Sequence, residues 1–239
     1  MTDGDLSTTH RKDNPMHLLD TSIRDQLCPG CLGVIAARAG VGKSTVLAHI
    51  ALAELLADRP VLHVCLDHPV ADVRGHYNRM FDEASRHGLV DGSDTHRMAL
   101  ERRRHIHSYL RQGFTAEKLD EALQFLGEVM DFSPRTVVID GFPMEVASHD
   151  ALAKLRDVAQ ASETRIWLTA LTHRHEPIDP TVGLPKPLNA FADLLDVVLS
   201  LTSEDDRVLL RLLRAASSDA PMSLPLVLDP ATNLLIRLD

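Results

Sequence analysis

Apolar runs of strand length alternate with stretches of helical periodicity from residue 32 to the end of the 239-residue chain. Residues 32–36 and 61–66 are near-continuous apolar runs, the pattern of strands buried on both faces. Residues 46–53 are apolar apart from His49 and suit a buried helix. Val70, Val73, Tyr77 and Phe81 recur at helical spacing and predict a helix over 70–88. Gly88 and Gly92 bound a loop. Residues 95–112 and 115–130 read as two more helices, with Thr115 starting the second ahead of Lys118-Leu119 and Ala122-Leu123. A buried strand over 136–140 ends in Asp140, an amphipathic helix follows over 148–162, and 166–171 is a further strand. The polar, proline-bearing stretch 173–187 is a long loop, and long loops in compact domains are functional or disordered. Residues 194–201, 208–213, 224–228 and 234–238 read as strands, the later ones antiparallel. The alternation predicts an α/β fold with a mainly parallel central sheet, helices on both faces and antiparallel strands at the C-terminal end. Residues 1–15 read as a flexible segment and 16–239 as a single domain.

The chemistry concentrates where the first strand meets the first long helix. Residues 37–45 read Ala-Arg-Ala-Gly-Val-Gly-Lys-Ser-Thr, a phosphate-loop pattern with Ala37 in place of the usual first glycine. Ala39, Gly40, Val41, Gly42, Lys43, Ser44 and Thr45 are the expected nucleotide cradle. The glycines let backbone N–H groups face a polyphosphate, and the helix N-terminus adds partial positive charge. Lys43 can reach the β and γ phosphates, and the Ser44 hydroxyl can ligate Mg²⁺. Asp140, at the end of a buried strand, is the natural second Mg²⁺ group. Its neighbour is Gly141, not Glu, so the acid that orients water must come from elsewhere. Asp67, at the end of the second strand, is the candidate; its other reading is an N-cap for the helix over 70–88.

Composition narrows the class. Net charge is −9, which argues against a broad nucleic-acid footprint. Arg102-Arg103-Arg104, near His105 and His107, reads as a solvated helix face within an acidic chain. The C-x-x-C pair Cys28 and Cys31 precedes a strand and has no second pair, so turn cysteines are the better reading than zinc or redox chemistry. The 13 histidines show no metal-ligand spacing and read mostly as surface residues. The N-terminal stretch has no apolar core of a secretory signal and no long uncharged apolar stretch occurs, so a cytoplasmic protein is expected.

Taken in order, Leu19-Asp20, Pro29-Gly30, residues 34–38, Gly42-Lys43-Ser44, Cys65-Leu66-Asp67, residues 137–140, residues 168–174, and the tail from Phe191 to Leu228-Asp229-Pro230 resemble the ATPase domain of DnaB-type hexameric replicative helicases. The related RecA and KaiC ATPases share the order. The resemblance implies a RecA-like P-loop NTPase fold, ATP and Mg²⁺ as cofactors, and a homo-oligomer such as a hexamer. It places Asp67 where those families carry a catalytic Glu and His173 where they carry a γ-phosphate-sensing Gln. Arg174 or Arg214 would be the finger offered to a neighbouring subunit. Asp67 is one methylene shorter than the family's Glu, the family's basic pair is reduced to Arg214, and its N-terminal helicase domain has no counterpart here. Two functions follow. The first is an oligomeric ATPase that rearranges a partner, with single-stranded nucleic acid as one candidate. The second is a weakly hydrolysing regulatory or assembly module that acts on a protein partner. No clear arginine-bearing lid of a small-molecule kinase is visible.

Overall fold

The computed structural model describes residues 14–24, 26–173, 178–215 and 220–238. Helix α1 (Pro15–Arg24) precedes strand β1 (Leu32–Ala37), and helix α2 (Lys43–Leu56) leads to strand β2 (Val61–Leu66). Helices α3 (Val70–Arg86) and α4 (Asp94–Arg102) lead to strand β3 (Arg104–Tyr109). Helix α5 (Ala116–Met130), strand β4 (Thr136–Asp140), helix α6 (His149–Ala161) and strand β5 (Arg165–Leu171) follow. The chain ends in strands β6 (Val197–Glu204), β7 (Arg207–Arg214), β8 (Met222–Asp229) and β9 (Leu234–Arg237).

These strands form one sheet of order β3-β2-β4-β5-β1-β6-β7-β8-β9. The part from β3 to β6 is parallel and the part from β6 to β9 is antiparallel. Every residue of β1 and β2 is buried, which explains their unbroken apolar character. One core lies between the sheet and α1 to α4; the other lies between the sheet and α5 and α6. Gly33 interrupts β1 for a steric reason. A Cβ there would lie 2.6 Å from the Trp167 ring on the neighbouring strand β5.

Three expectations need correction. The helix expected over 95–112 stops at Arg102, and after Arg103 the six residues 104–109 are edge strand β3 paired with β2. Ile106 and Tyr109 favour extended backbone, and Leu62, His63 and Val64 offer it a ladder, so tertiary pairing overrides a weak helical period. The basic cluster is therefore not one helix face. Arg103 pairs with Asp58 at 2.5 Å, and the Arg104 guanidinium lies over the Tyr77 ring at 4.2 Å. The strand expected over 194–201 begins only at Val197, because Leu194 and Leu195 spend their apolar surface in a turn packed on the second core.

Two histidines are also core residues: His49 on α2 and His63 on β2. Asn14 and Pro15, expected in the flexible segment, begin the described structure; Asn14 Oδ1 accepts from the Met16 N–H at 2.9 Å as α1 starts. Residues 1–13 lie outside the described residues. No helix among those described is long and apolar enough to cross a membrane.

Candidate phosphate site

Strand β1 delivers the chain into the loop 38–42, and α2 starts at Lys43. Gly40 has φ 76° and Gly42 has φ 107°, left-handed values that a side chain disfavours. Gly42 is also the α2 N-cap and makes no side-chain cap, which leaves the first N–H groups of α2 to an outside acceptor. A Cβ on Gly42 would meet Leu228 Cδ2 at 2.6 Å, so strand β8 packs directly on the loop. Ser44 is exposed and Thr45 is buried.

Lys43 Nζ donates to the carbonyls of Ala37 at 3.1 Å and Arg38 at 2.9 Å. Burial lowers the Lys43 pKa, and the carboxylates of Asp140 and then Glu145 oppose that shift. The lysine is thus folded on its own loop and faces two acids from the β4 end.

Asp140 closes β4. The Thr169 hydroxyl donates to Asp140 Oδ1 at 3.1 Å and accepts from the Gly141 N–H at 3.0 Å. Thr169 is buried on β5, between the strands that carry Asp140 and the loop. A cavity of about 760 Å³ opens beside the loop. Arg38 to Gly42 and Leu171 to His173 line it on one side, and Val208, Leu228 and Asn233 on the other. That volume falls within the range of small-ligand and cofactor sites, roughly 300–1,000 Å³. His49 donates from Nε2 to the Asn233 carbonyl at 2.8 Å and so ties α2 to the far wall.

Among the expected site residues, Ala39 to Gly42 and His173 line this cavity, and Asp140 is near enough to Lys43 to act on it electrostatically. Asp67 lies at the same end of the sheet but further along it. Strand β2 is separated from β1 by β4 and β5, about 14 Å at ordinary strand spacing. The N-cap of α3 is Pro69, so the capping role for Asp67 is excluded. Asp67 has φ 65° and is pinned on three sides. Its N–H donates to the Tyr109 carbonyl at 2.9 Å, Oδ1 accepts from the Arg111 N–H at 2.8 Å, and Oδ2 pairs with Arg111 Nε at 3.1 Å.

Arg214 is not brought to the loop of its own chain. It pairs with Val198, which lies beside Val34, toward the amino end of β1. Arg174 lies outside the described residues. Sequence reasoning missed Thr169, Arg111 and Glu145. A hydroxyl inside the apolar run 166–171 was the available signal for Thr169. Arg111 and Glu145 had none, because tertiary pairing alone places them here. No protein-family model matches the chain and no curated protein matches it in sequence.

Proposed function

We propose that the protein is an ATP-binding, Mg²⁺-dependent ATPase of RecA-like type whose nucleotide cycle rearranges a partner. The observation that carries this reading is the convergence of Lys43 on α2 and Asp140 on β4 beside an uncapped, glycine-bearing loop and its cavity. The loop N–H groups and the α2 N-terminus would take the phosphates, and the cavity would take the nucleoside. Ser44 and Asp140 would hold Mg²⁺. Their hydroxyl and carboxylate oxygens suit a hard cation. When bound, the ion neutralises charge on the β and γ phosphates.

Hydrolysis joins a water oxygen to the γ-phosphorus and breaks the bond from that phosphorus to the β,γ-bridging oxygen. The electron pair of the broken bond stays on ADP, and the water proton passes to Asp67 and then to solvent. The DnaB-like resemblance adds a homo-oligomer and single-stranded nucleic acid as the candidate partner, in the cytoplasm. A second reading, a weakly hydrolysing module that acts on a protein, draws on the Asp67–Arg111 pair, which occupies the candidate acid. Equilibrium binding of ATP·Mg²⁺ to wild type and to Lys43→Ala tests the core proposal. Binding lost in a folded variant supports it, and unchanged affinity and turnover overturn it. Turnover with and without single-stranded DNA, measured with the mass in solution, separates the two readings.

A further inference from the structure

Arg111 begins the short turn Arg111–Gly113 that follows edge strand β3, and the register of Leu66 with Tyr109 places it beside Asp67. Its guanidinium does more than pair with Asp67. The Nη2 atom lies 3.7 Å from the position a Cβ would take on Gly141, the residue after Asp140. The side chain therefore spans from the candidate water-orienting acid to the edge of the candidate Mg²⁺ residue. Gly141, with φ 83° and no side chain, leaves that path open.

We infer that Arg111 is the chain's own γ-phosphate sensor: it holds Asp67 in the absence of a triphosphate and moves onto the γ-phosphate when one binds. The inference rests on the nucleotide reading above. Both partners are about half exposed, at 47% for Arg111 and 43% for Asp67. An exposed pair of this kind contributes little and yields to a more highly charged oxyanion that a guanidinium can grip with two N–H groups. The two contacts to Asp67 are chemically separable. The backbone N–H of Arg111 holds Oδ1 whatever the side chain does, while the guanidinium holds Oδ2. Departure of the guanidinium leaves Asp67 anchored and bares one oxygen to accept from water. After hydrolysis and phosphate release the guanidinium returns and covers it. The left-handed backbone of Asp67, tied to Tyr109, keeps the carboxylate at the β2 end throughout.

The test measures affinities for ADP and for a non-hydrolysable ATP analogue, with steady-state turnover, on the full chain. Arg111→Ala is expected to weaken the triphosphate analogue about tenfold, leave ADP within about twofold, and lower turnover about a hundredfold or more. Arg111→Lys, which keeps charge but loses the fork, falls between the two. Asp67→Asn is expected to lose turnover while keeping the preference for triphosphate over diphosphate. An unchanged preference and turnover in folded Arg111→Ala or Arg111→Lys overturns the inference and leaves the nucleotide reading standing. A wild type that binds neither nucleotide overturns both.

Discussion

The Thr169 hydroxyl fixes the Asp140 carboxylate: it donates to Oδ1 at 3.1 Å while the Gly141 N–H donates back to it at 3.0 Å. One buried hydroxyl thereby sets both the rotamer of the candidate Mg²⁺ residue and the path of the chain after β4. Partners behind a metal-binding group commonly change metal affinity about 10- to 100-fold when removed. Thr169→Val keeps the shape and deletes the hydroxyl. The Mg²⁺ concentration for half-maximal turnover should rise about tenfold, while nucleotide binding measured in EDTA stays unchanged. The orphaned Gly141 N–H should also cost about 1–3 kcal/mol of stability. Thr169→Ser should restore the Mg²⁺ requirement. A Thr169→Val protein with wild-type Mg²⁺ dependence would show that the contact is structural only.

Two carboxylates flank Asp140, and their different surroundings predict different effects on substitution. Glu145 is exposed on the turn after β4 and acts on the Lys43 ammonium, whereas Asp67 is fixed by backbone contacts at the end of β2. Asp67→Asn should keep nucleotide binding and lose turnover. Glu145→Gln removes a negative charge facing incoming phosphates, so nucleotide affinity should rise about two- to fivefold at low salt and turnover should persist. Loss of turnover in Glu145→Gln, with full activity in Asp67→Asn, would reverse the two roles.

Local backbone pattern was legible in the sequence and non-local pairing was not. Strands β2 and β4 could be bounded because burial on both faces keeps each run apolar apart from His63 in β2 and the end residues Thr136 and Asp140 of β4. The loop 37–45 declares itself because its glycines, lysine and hydroxyl act within a few residues of one another. Strand β3 failed for the opposite reason: its residues are half-exposed and short of apolar periodicity, and only the ladder with β2 makes them a strand. Arg111 inherits that failure, since its place beside Asp67 follows from β3. Asp67 itself was found by position at a strand end, but its separation from β1 by two strands depends on sheet order, which no local pattern encodes.

Acid should destabilise the fold through two buried imidazoles. His63 shares a 2.9 Å hydrogen bond with the Tyr77 hydroxyl, and Asp140, Arg104 and His76 act on it electrostatically. His49 is held by the Asn233 carbonyl and acted on by His76. Burial is the first cause that pushes each down to about 4. An unfolded histidine titrates near 6.5, so the unfolded chain binds more protons between those values and stability rises with pH across the window. The contribution is complete above about pH 6.5 and lost as pH falls through about 4. Between pH 7.5 and pH 5 each ring should account for roughly 2 kcal/mol, read from urea midpoints. His49→Gln should flatten the profile by its share. Equal wild-type stability at the two pH values would rule this out.

Arg214 can reach the candidate phosphate site only from another copy of the chain. Its partner in the ladder is Val198, and Val198 neighbours Val34, three residues of strand before the loop begins at the far end of β1. That is about 10 Å along the strand, and the side chain lines a separate cavity with Thr181, Asn189 and Asp193. Within one protomer it therefore shares no wall with the cavity beside the loop. If a neighbouring protomer presents it, Arg214→Ala should lower turnover about tenfold or more with nucleotide affinity unchanged, because a finger acts mainly on transition-state charge. Specific activity of the wild type should rise with protein concentration. Mixing Lys43→Ala with Arg214→Ala protein should recover part of the lost activity, since some interfaces then carry an intact Lys43 facing an intact Arg214. Constant specific activity on dilution, together with an inert mixture, would confine the site to one chain and leave Arg111 as its guanidinium.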